Sequence, residues 1–202
     1  MTESGWKRLL ASLLLVGAAL LVAACGGGKS NAELASDALR KGLEAHQAGR
    51  LDEAAALYRK VLTYDPQNKY AFYNLGVIDH NASRAMEAEN NYRLALSIDP
   101  NYAPALFNLA ILRNAAGYRQ DAVDLYRHVI LVEPRNAGAH LNLGLLLRSL
   151  GMQEEGDAEV RLATQLDPKL APPGGTSTPP SGGTTPAAGR TPTAVATGTP
   201  TR

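Results

Sequence analysis

The chain has 202 residues, with 20 basic and 19 acidic side chains and a formal net charge of +1 at pH 7. That balance gives no global field for binding nucleic acid or an acidic surface. Its single cysteine excludes an intramolecular disulfide and any cysteine cluster for zinc or an iron–sulfur centre.

The first segment, residues 1–24, has the layout of a secretory signal peptide. Lys7 and Arg8 precede 16 mostly apolar residues, Leu9 to Ala24, fewer than the roughly 20 that a spanning helix needs. The end of this run, Val-Ala-Ala-Cys at positions 22–25, resembles the bacterial lipobox. The resemblance implies cleavage before Cys25 and a lipid on its thiol.

The alternative for this segment is an uncleaved anchor with an incidental cysteine. On either interpretation the charges before the apolar run keep the N-terminus cytoplasmic and send the rest across the membrane. We therefore expect the chain to lie in a bacterial cell envelope, lipid-anchored and facing the periplasm or the cell exterior. Residues 25–34, which contain three consecutive glycines, are predicted to be the lipidated cysteine and a flexible tether.

A 34-residue period runs through residues 35–170 and divides them into four units, 35–68, 69–102, 103–136 and 137–170. Prolines recur at 66, 100, 134 and 168. Small residues recur with the same period at two further positions, Gly42, Gly76, Ala110 and Gly144, and Ala54, Ala88, Ala122 and Gly156. Tyr58, Tyr92 and Tyr126 recur likewise, with Val160 in the fourth unit.

Each unit is predicted to be a helix–turn–helix. Gly49, Ser83, Gly117 and Gly151 mark the turn in the middle of the units. Each proline ends a second helix, because it lacks an N–H and restricts the residue before it. The small residues let two helices approach closely and the tyrosines fill the remaining space, so the units stack into one core.

The second unit, with Phe72, Leu75-Gly76, Ala88, Tyr92, Ala95 and Pro100, resembles the tetratricopeptide repeat. The resemblance implies an all-α, right-handed solenoid of four helix–turn–helix repeats that binds proteins. In this family the first helix of each repeat lines the concave surface. Residues on the exposed side of these helices form a predicted peptide-binding groove: Leu39, Leu43, His46, Tyr70, Tyr73, Val77, His80, Phe107, Ile111, Asn114, Leu141, Leu145 and Arg148.

An apolar strip with aromatic anchors and a polar margin suits a peptide, and the alternative is that these aromatics only pack against each other. The recurring Asn74, Asn108 and Asn142 are expected to brace neighbouring repeats. Family members that hold the C-terminal carboxylate of a chaperone use basic residues and an Asn. That pattern is not matched, because those positions hold Leu39, Leu43, Pro104 and Asn108.

Nothing in the sequence indicates an enzyme. His46 and His80 have no evident third ligand for a metal, and His140 occupies an aromatic position and is expected to be a packed ring. No nucleophile arrangement or phosphate-binding loop is present. We therefore expect no catalytic residues, cofactor, metal, nucleic acid or small-molecule substrate, and a protein or peptide as the partner.

The last segment, residues 171–202, contains nine Thr, seven Pro and six Gly and is predicted to be disordered. The alternative is an extended, O-glycosylated stalk. The whole chain is interpreted as a membrane-anchored, protein-binding adaptor or assembly scaffold. In layout it resembles repeat-bearing lipoproteins that assist pilus or envelope assembly. The alternative function is a structural spacer of the envelope that self-associates end to end through its last repeat.

Overall fold

The computed structural model describes residues 28–171. Within that range the chain forms eight α-helices and no strand: α1 Asn31–Gln47, α2 Leu51–Tyr64, α3 Lys69–Asn81, α4 Ala85–Ile98, α5 Ala103–Ala115, α6 Arg119–Val132, α7 Ala137–Ser149 and α8 Gln153–Leu166. A short 3-10 turn, Pro168–Leu170, follows. The predicted signal, Cys25 and residues 172–202 lie outside the described range.

The helices pack in chain order, α1 on α2, α2 on α3 and so on to α8, and α3 also contacts α5. This confirms the all-α stack of helical pairs that the period predicts. The first helix begins at Asn31, four residues before the predicted first unit, so the sequence analysis was wrong to include residues 31–34 in the flexible tether. It starts there because Ser30 and Glu33 form a capping box, in which the Ser30 hydroxyl accepts from the Glu33 N–H and the Glu33 carboxylate accepts from the Ser30 N–H. None of the described helices combines the length and the apolar character needed to cross a bilayer.

The turns inside the repeats lie where the sequence predicts them. Three are made by glycines with φ between 74° and 86°, a left-handed conformation that only glycine adopts without strain. The fourth is made by Ser83, with φ 60°. A buried carboxylate holds this turn: the Arg84 guanidinium donates twice to Asp79 Oδ1, at 3.0 and 2.7 Å, and the Asn91 amide donates to Asp79 Oδ2 at 2.8 Å.

The core confirms the pairing of small residues with tyrosines. Tyr58, Tyr92 and Tyr126 are fully or almost fully buried. A Cβ added to Gly76 would lie 2.6 Å from the Tyr92 ring, so the glycine is what admits the ring. In the last repeat α7 and α8 meet backbone to backbone, since a Cβ on Gly144 would lie 2.7 Å from the carbonyl oxygen of Gly156.

Candidate functional site

The residues of the predicted groove all lie on the first helix of a repeat, namely α1, α3, α5 or α7. On each helix they are spaced by three or four positions, which places them on one face. Tyr70, Leu43 and Leu145 are 47%, 40% and 50% exposed. Asn114 and Arg148 are also exposed, whereas the other members are half-buried: Leu39, His46, Tyr73, Val77, His80, Phe107, Ile111 and Leu141.

The two central aromatic residues of the predicted groove contact the core as well as facing solvent in part. The Tyr73 ring lies 6.0 Å from the ring of Tyr92, and the Phe107 ring lies 5.7 Å from that of Tyr126 at 69°. The sequence interpretation placed Tyr73 and Phe107 off the core, and the structure corrects this. They pack and remain accessible, whereas Tyr70 is the most exposed aromatic residue of the set.

Polar members of this surface are tied to neighbouring side chains. His46 Nδ1 lies 3.3 Å from the Tyr58 hydroxyl, and Arg148 Nε lies 3.4 Å from Asp157 Oδ1. The bracing predicted for the recurring asparagines holds for Asn108, whose amide donates to the hydroxyl of Tyr73 in the preceding repeat at 3.3 Å. It fails for Asn74, whose amide donates to the Tyr70 carbonyl of its own helix at 2.7 Å.

Three tyrosines and a lysine form a cluster where the second repeat meets the third, and we name it the tyrosine cluster: Lys69, Tyr70, Tyr73 and Tyr102. The Tyr102 ring is perpendicular to those of Tyr70 and Tyr73, with centroids 5.8 and 5.3 Å away. Lys69 Nζ lies 5.2 Å from the centroid of Tyr70 and 5.1 Å from that of Tyr102. It also donates to Asp99 Oδ2 at 2.5 Å.

The sequence analysis missed Lys69 and Tyr102, although a signal for Tyr102 was present. Its equivalents one period away, Asn68 and Asn136, cap the following helix by accepting from a backbone N–H at 3.0 and 2.9 Å. Tyr102 occupies the same N-cap position of α5 and makes no side-chain cap. Replacing a capping Asn costs about 1 kcal/mol, so a tyrosine there indicates a role outside helix capping.

The pKa shifts of Tyr73, Tyr102, Lys69 and Asp99 each favour one charge state of these groups near neutral pH. Burial raises the pKa of Tyr102 to about 12 and also raises the pKa of Tyr73, so both hydroxyls keep their hydrogens. The hydrogen bond between Lys69 and Asp99 raises the pKa of the lysine and lowers the pKa of the carboxyl. Both partners of this pair are therefore charged.

A shallow pocket of about 400 Å³ adjoins the tyrosine cluster on the side of the first repeat. Its lining includes Leu39 of α1, Tyr64 at the end of α2, and Tyr70. Leu39 and Tyr70, two members of the predicted groove from adjacent repeats, thus share one depression between α1 and α3.

The remaining histidine prediction concerned His140, expected to be a packed ring. The ring is 3% exposed, which confirms that expectation. Its Nδ1 lies 2.5 Å from Glu159 Oε2 and its Nε2 lies 3.0 Å from the Pro134 carbonyl oxygen, partners that the sequence did not predict. Within residues 28–171, no three side chains of His, Cys, Asp or Glu lie close enough together to hold a metal ion.

Comparison with known families decides the identity of this stack. A profile described as TPR repeat matches residues 42–81, and one described as tetratricopeptide repeat matches residues 137–170. The chain is a tetratricopeptide-repeat (TPR) protein. Repeats of this kind are protein-interaction scaffolds, and this TPR protein is therefore a scaffold for protein–protein interaction.

Solved structures share the fold of this TPR protein. MamA has a TM-score of 0.61 at 19% identity, over 84% of this chain and 96% of that chain. PilF of Pseudomonas aeruginosa has a TM-score of 0.62 at 22% identity, over 70% of this chain and 66% of that chain. The first TPR of Spaghetti (RPAP3), bound to the HSP90 peptide SRMEEVD, has a TM-score of 0.56 at 25% identity, over 59% of this chain and 94% of that chain. No curated protein sequence matches this chain.

Proposed function

We propose that this TPR protein is a lipid-anchored adaptor or assembly factor on the extracytoplasmic side of a bacterial membrane, and that it binds a partner segment in the predicted groove. The observation that carries the proposal is the accessible aromatic and aliphatic surface on α1, α3, α5 and α7, with Tyr70, Tyr73 and Phe107 near its middle. Interface hot spots concentrate at such central, aromatic positions. The peptide complex of the Spaghetti TPR shows that a domain of this fold holds a peptide.

The anchor and the location rest on the first 25 residues. The lysine, the arginine and the short apolar run indicate export, and the residues before Cys25 resemble a lipobox. Two or more acyl chains are needed for stable anchoring, because each buried CH₂ contributes about 0.8 kcal/mol and one chain is marginal. A lipidated Cys25 followed by the glycine tether would hold the repeats beside the membrane.

The first end of the stack favours the adaptor over the self-associating spacer. Ala71, Leu75 and Ile78 of α3 are buried in one core cluster with residues of α1 and α2. One period earlier, the same positions of α1 hold Asp37, Lys41 and Glu44, which are half-buried or exposed. If another repeat covered these charged groups, they would lose their contact with water, and apolar contacts would not offset that desolvation free energy.

The test is crosslinked capture of the partner from the protein's own cells. Tyr73→Ala combined with Phe107→Ala should weaken capture strongly, since central aromatic contacts contribute on the order of 2 kcal/mol each. Leu131→Ala is the matched control, because Leu131 lies on α6 and is 78% exposed. Circular dichroism must show that the double variant is folded. Undiminished capture by a folded double variant would refute the groove as the binding site. In sedimentation of the lipid-free protein, an assembly mass that increases with protein concentration would favour the self-associating spacer.

A further inference from the structure

The tyrosine cluster carries three hydroxyl groups, on the exposed ring of Tyr70 and on the half-buried rings of Tyr73 and Tyr102. Asn108 donates its amide N–H to the Tyr73 hydroxyl oxygen. That oxygen is used as the acceptor, so the hydroxyl hydrogen of Tyr73 is left to donate elsewhere. The Tyr102 hydroxyl, with its pKa raised to about 12, also keeps its hydrogen, and Tyr70 carries a third hydroxyl on the most exposed ring of the cluster.

The charges in the cluster cancel locally. Lys69 is paired with Asp99, and the second oxygen of Asp99 accepts from the Asn101 backbone N–H at 3.1 Å. The carboxylate is thereby occupied on both oxygens, while the ammonium has three hydrogens and one carboxylate partner. A partner that matches this surface carries hydrogen-bond acceptors and apolar rings and little net charge.

These four side chains are specific to the junction between the second and third repeats. At the position of Lys69 the other repeats have Ala35, Ala103 and Ala137, and at that of Tyr73 they have Leu39, Phe107 and Leu141. Tyr70 is replaced by Ser36, Pro104 and Gly138. The other junctions form without such a cluster, whereas at this junction Tyr73 and Tyr102 also pack against the core.

We propose that the tyrosine cluster binds a proline-rich, extended segment of a partner protein. This inference rests on the proposed function and names the class of partner. A polyproline II helix has no internal hydrogen bonds, so its carbonyl oxygens are free to accept, and its proline residues have no N–H that would need an acceptor. Its rings pack on aromatic side chains, as in other modules that recognise proline-rich segments.

An amphipathic helix suits the same surface less well. The carbonyl oxygens of a helix are occupied by its own i to i−4 hydrogen bonds. A helix laid on the cluster would cover the hydroxyls of Tyr70 and Tyr73 without supplying acceptors, and an unsatisfied donor is costly when water is excluded. An extended proline-rich segment offers free carbonyl oxygens as acceptors for these hydroxyl donors.

The experiment is calorimetric titration of the full chain, purified in detergent, with a capped decaproline peptide. Decaproline should bind the wild-type protein, and Tyr70→Ala should weaken binding roughly tenfold or more, as expected for an aromatic anchor. Tyr73→Phe keeps the ring and removes one donor, so it should weaken binding by about 2- to 10-fold. The control is Tyr118→Ala, because Tyr118 is 57% exposed and lies at the start of α6, away from the cluster. This variant should bind like wild type.

Three results would overturn the inference. They are no binding of decaproline to the folded wild-type chain, decaproline binding by Tyr70→Ala and Tyr73→Phe that equals that of the wild type, or binding of an uncharged, helix-forming peptide that is tighter than that of decaproline. Circular dichroism establishes that each variant is folded, and the conservative Tyr73→Phe keeps the test decisive if Tyr70→Ala is damaged. If decaproline fails to bind while Tyr73→Ala with Phe107→Ala still abolishes capture of the cellular partner, this inference is wrong and the proposed function stands. If capture is also undiminished in that double variant, the groove itself is wrong.

Discussion

The hydroxyl of Tyr92 offers a sharp test of how the repeats are packed. Tyr92 is fully buried, and its hydroxyl has no hydrogen-bond partner within the described structure. One repeat earlier, the hydroxyl of Tyr58 lies 3.3 Å from His46 Nδ1. Burial and the neighbouring Tyr73 raise the pKa of Tyr92, whereas the nearby Asn108 amide, which donates to the Tyr73 hydroxyl, lowers it. We therefore predict that Tyr92→Phe stabilises the protein and that Tyr58→Phe destabilises it.

The magnitudes follow from the two environments. A buried donor without a partner costs about 1–3 kcal/mol, and Phe removes that oxygen while keeping the ring that fills the space beside Gly76. The free energy of unfolding should therefore rise by about 1–2 kcal/mol in Tyr92→Phe. In Tyr58→Phe a satisfied hydrogen bond is lost, at about 0.5–1.5 kcal/mol. At roughly 2–4 °C per kcal/mol for a chain of this size, the two Tm values should differ by several degrees.

The assay is thermal unfolding of the full chain followed by circular dichroism, with urea unfolding as an independent measure. A third variant isolates the cause: Tyr73→Phe removes the oxygen that competes for Asn108, so the benefit of Tyr92→Phe should shrink in that background. A Tyr92→Phe variant that unfolds at as low a temperature as Tyr58→Phe would refute the reasoning. Additive effects of Tyr73→Phe and Tyr92→Phe would refute the role of Asn108.

The remaining predictions concern the anchor, a helix contact and an ion pair. Cys25→Ser should leave a longer, unlipidated precursor, and mass spectrometry showing an unchanged mature protein would refute the lipoprotein interpretation. Gly144→Ala should lower the free energy of unfolding by about 1–3 kcal/mol, since its Cβ would meet backbone atoms at 2.7 and 2.9 Å. Gly138→Ala in the same helix meets nothing closer than 3.5 Å and should stabilise by up to about 1 kcal/mol, as urea unfolding of both variants will show. The Lys69 hydrogen bond lowers the pKa of Asp99 below its ordinary 3.8, so this pair stabilises the protein above that pH and ceases to do so as the pH falls through the lowered value. Asp99→Asn should remove that part of the decrease in unfolding free energy at acidic pH. An unchanged dependence on acidic pH in this variant would contradict the role given to the Lys69–Asp99 pair.

Much of the fold was predictable because it depends on local chemistry. The second helices end two residues before their prolines, at Tyr64, Ile98, Val132 and Leu166, since proline restricts its predecessor whatever the surroundings. The left-handed turns follow from glycine in the same way, and even Ser83 keeps the position that the period assigns to it. The pairing of Gly76 with Tyr92 was readable as well, because complementary size recurs in sequence with the repeat.

For the candidate site, the sequence predicted only the face of the first helices on which its residues lie. The period places Tyr70, Tyr73 and Phe107 on the first helices, but it does not say how deeply each side chain is buried. Tyr73 and Phe107 are half-buried because rings from the adjoining second helices, Tyr92 and Tyr126, lie within 6.0 Å of them. Both pairs lie within one repeat, and their distances depend on how its two helices pack against each other, which the period of the sequence does not give.

The sequence alone thus determined where the second helices end, where the turns lie, which residues face each other within a repeat and which helices carry the candidate groove. Only the tertiary structure decided the choices between competing partners. Asn108 lies near two tyrosine hydroxyls and donates to that of Tyr73 in the preceding repeat, and Lys69 at the start of α3 reaches Asp99 at the end of α4, 30 residues away. Helix ends are set by the conformations open to one or two residues, whereas a hydrogen bond between repeats needs distances and angles within narrow limits. Those limits are met only once the helices are packed.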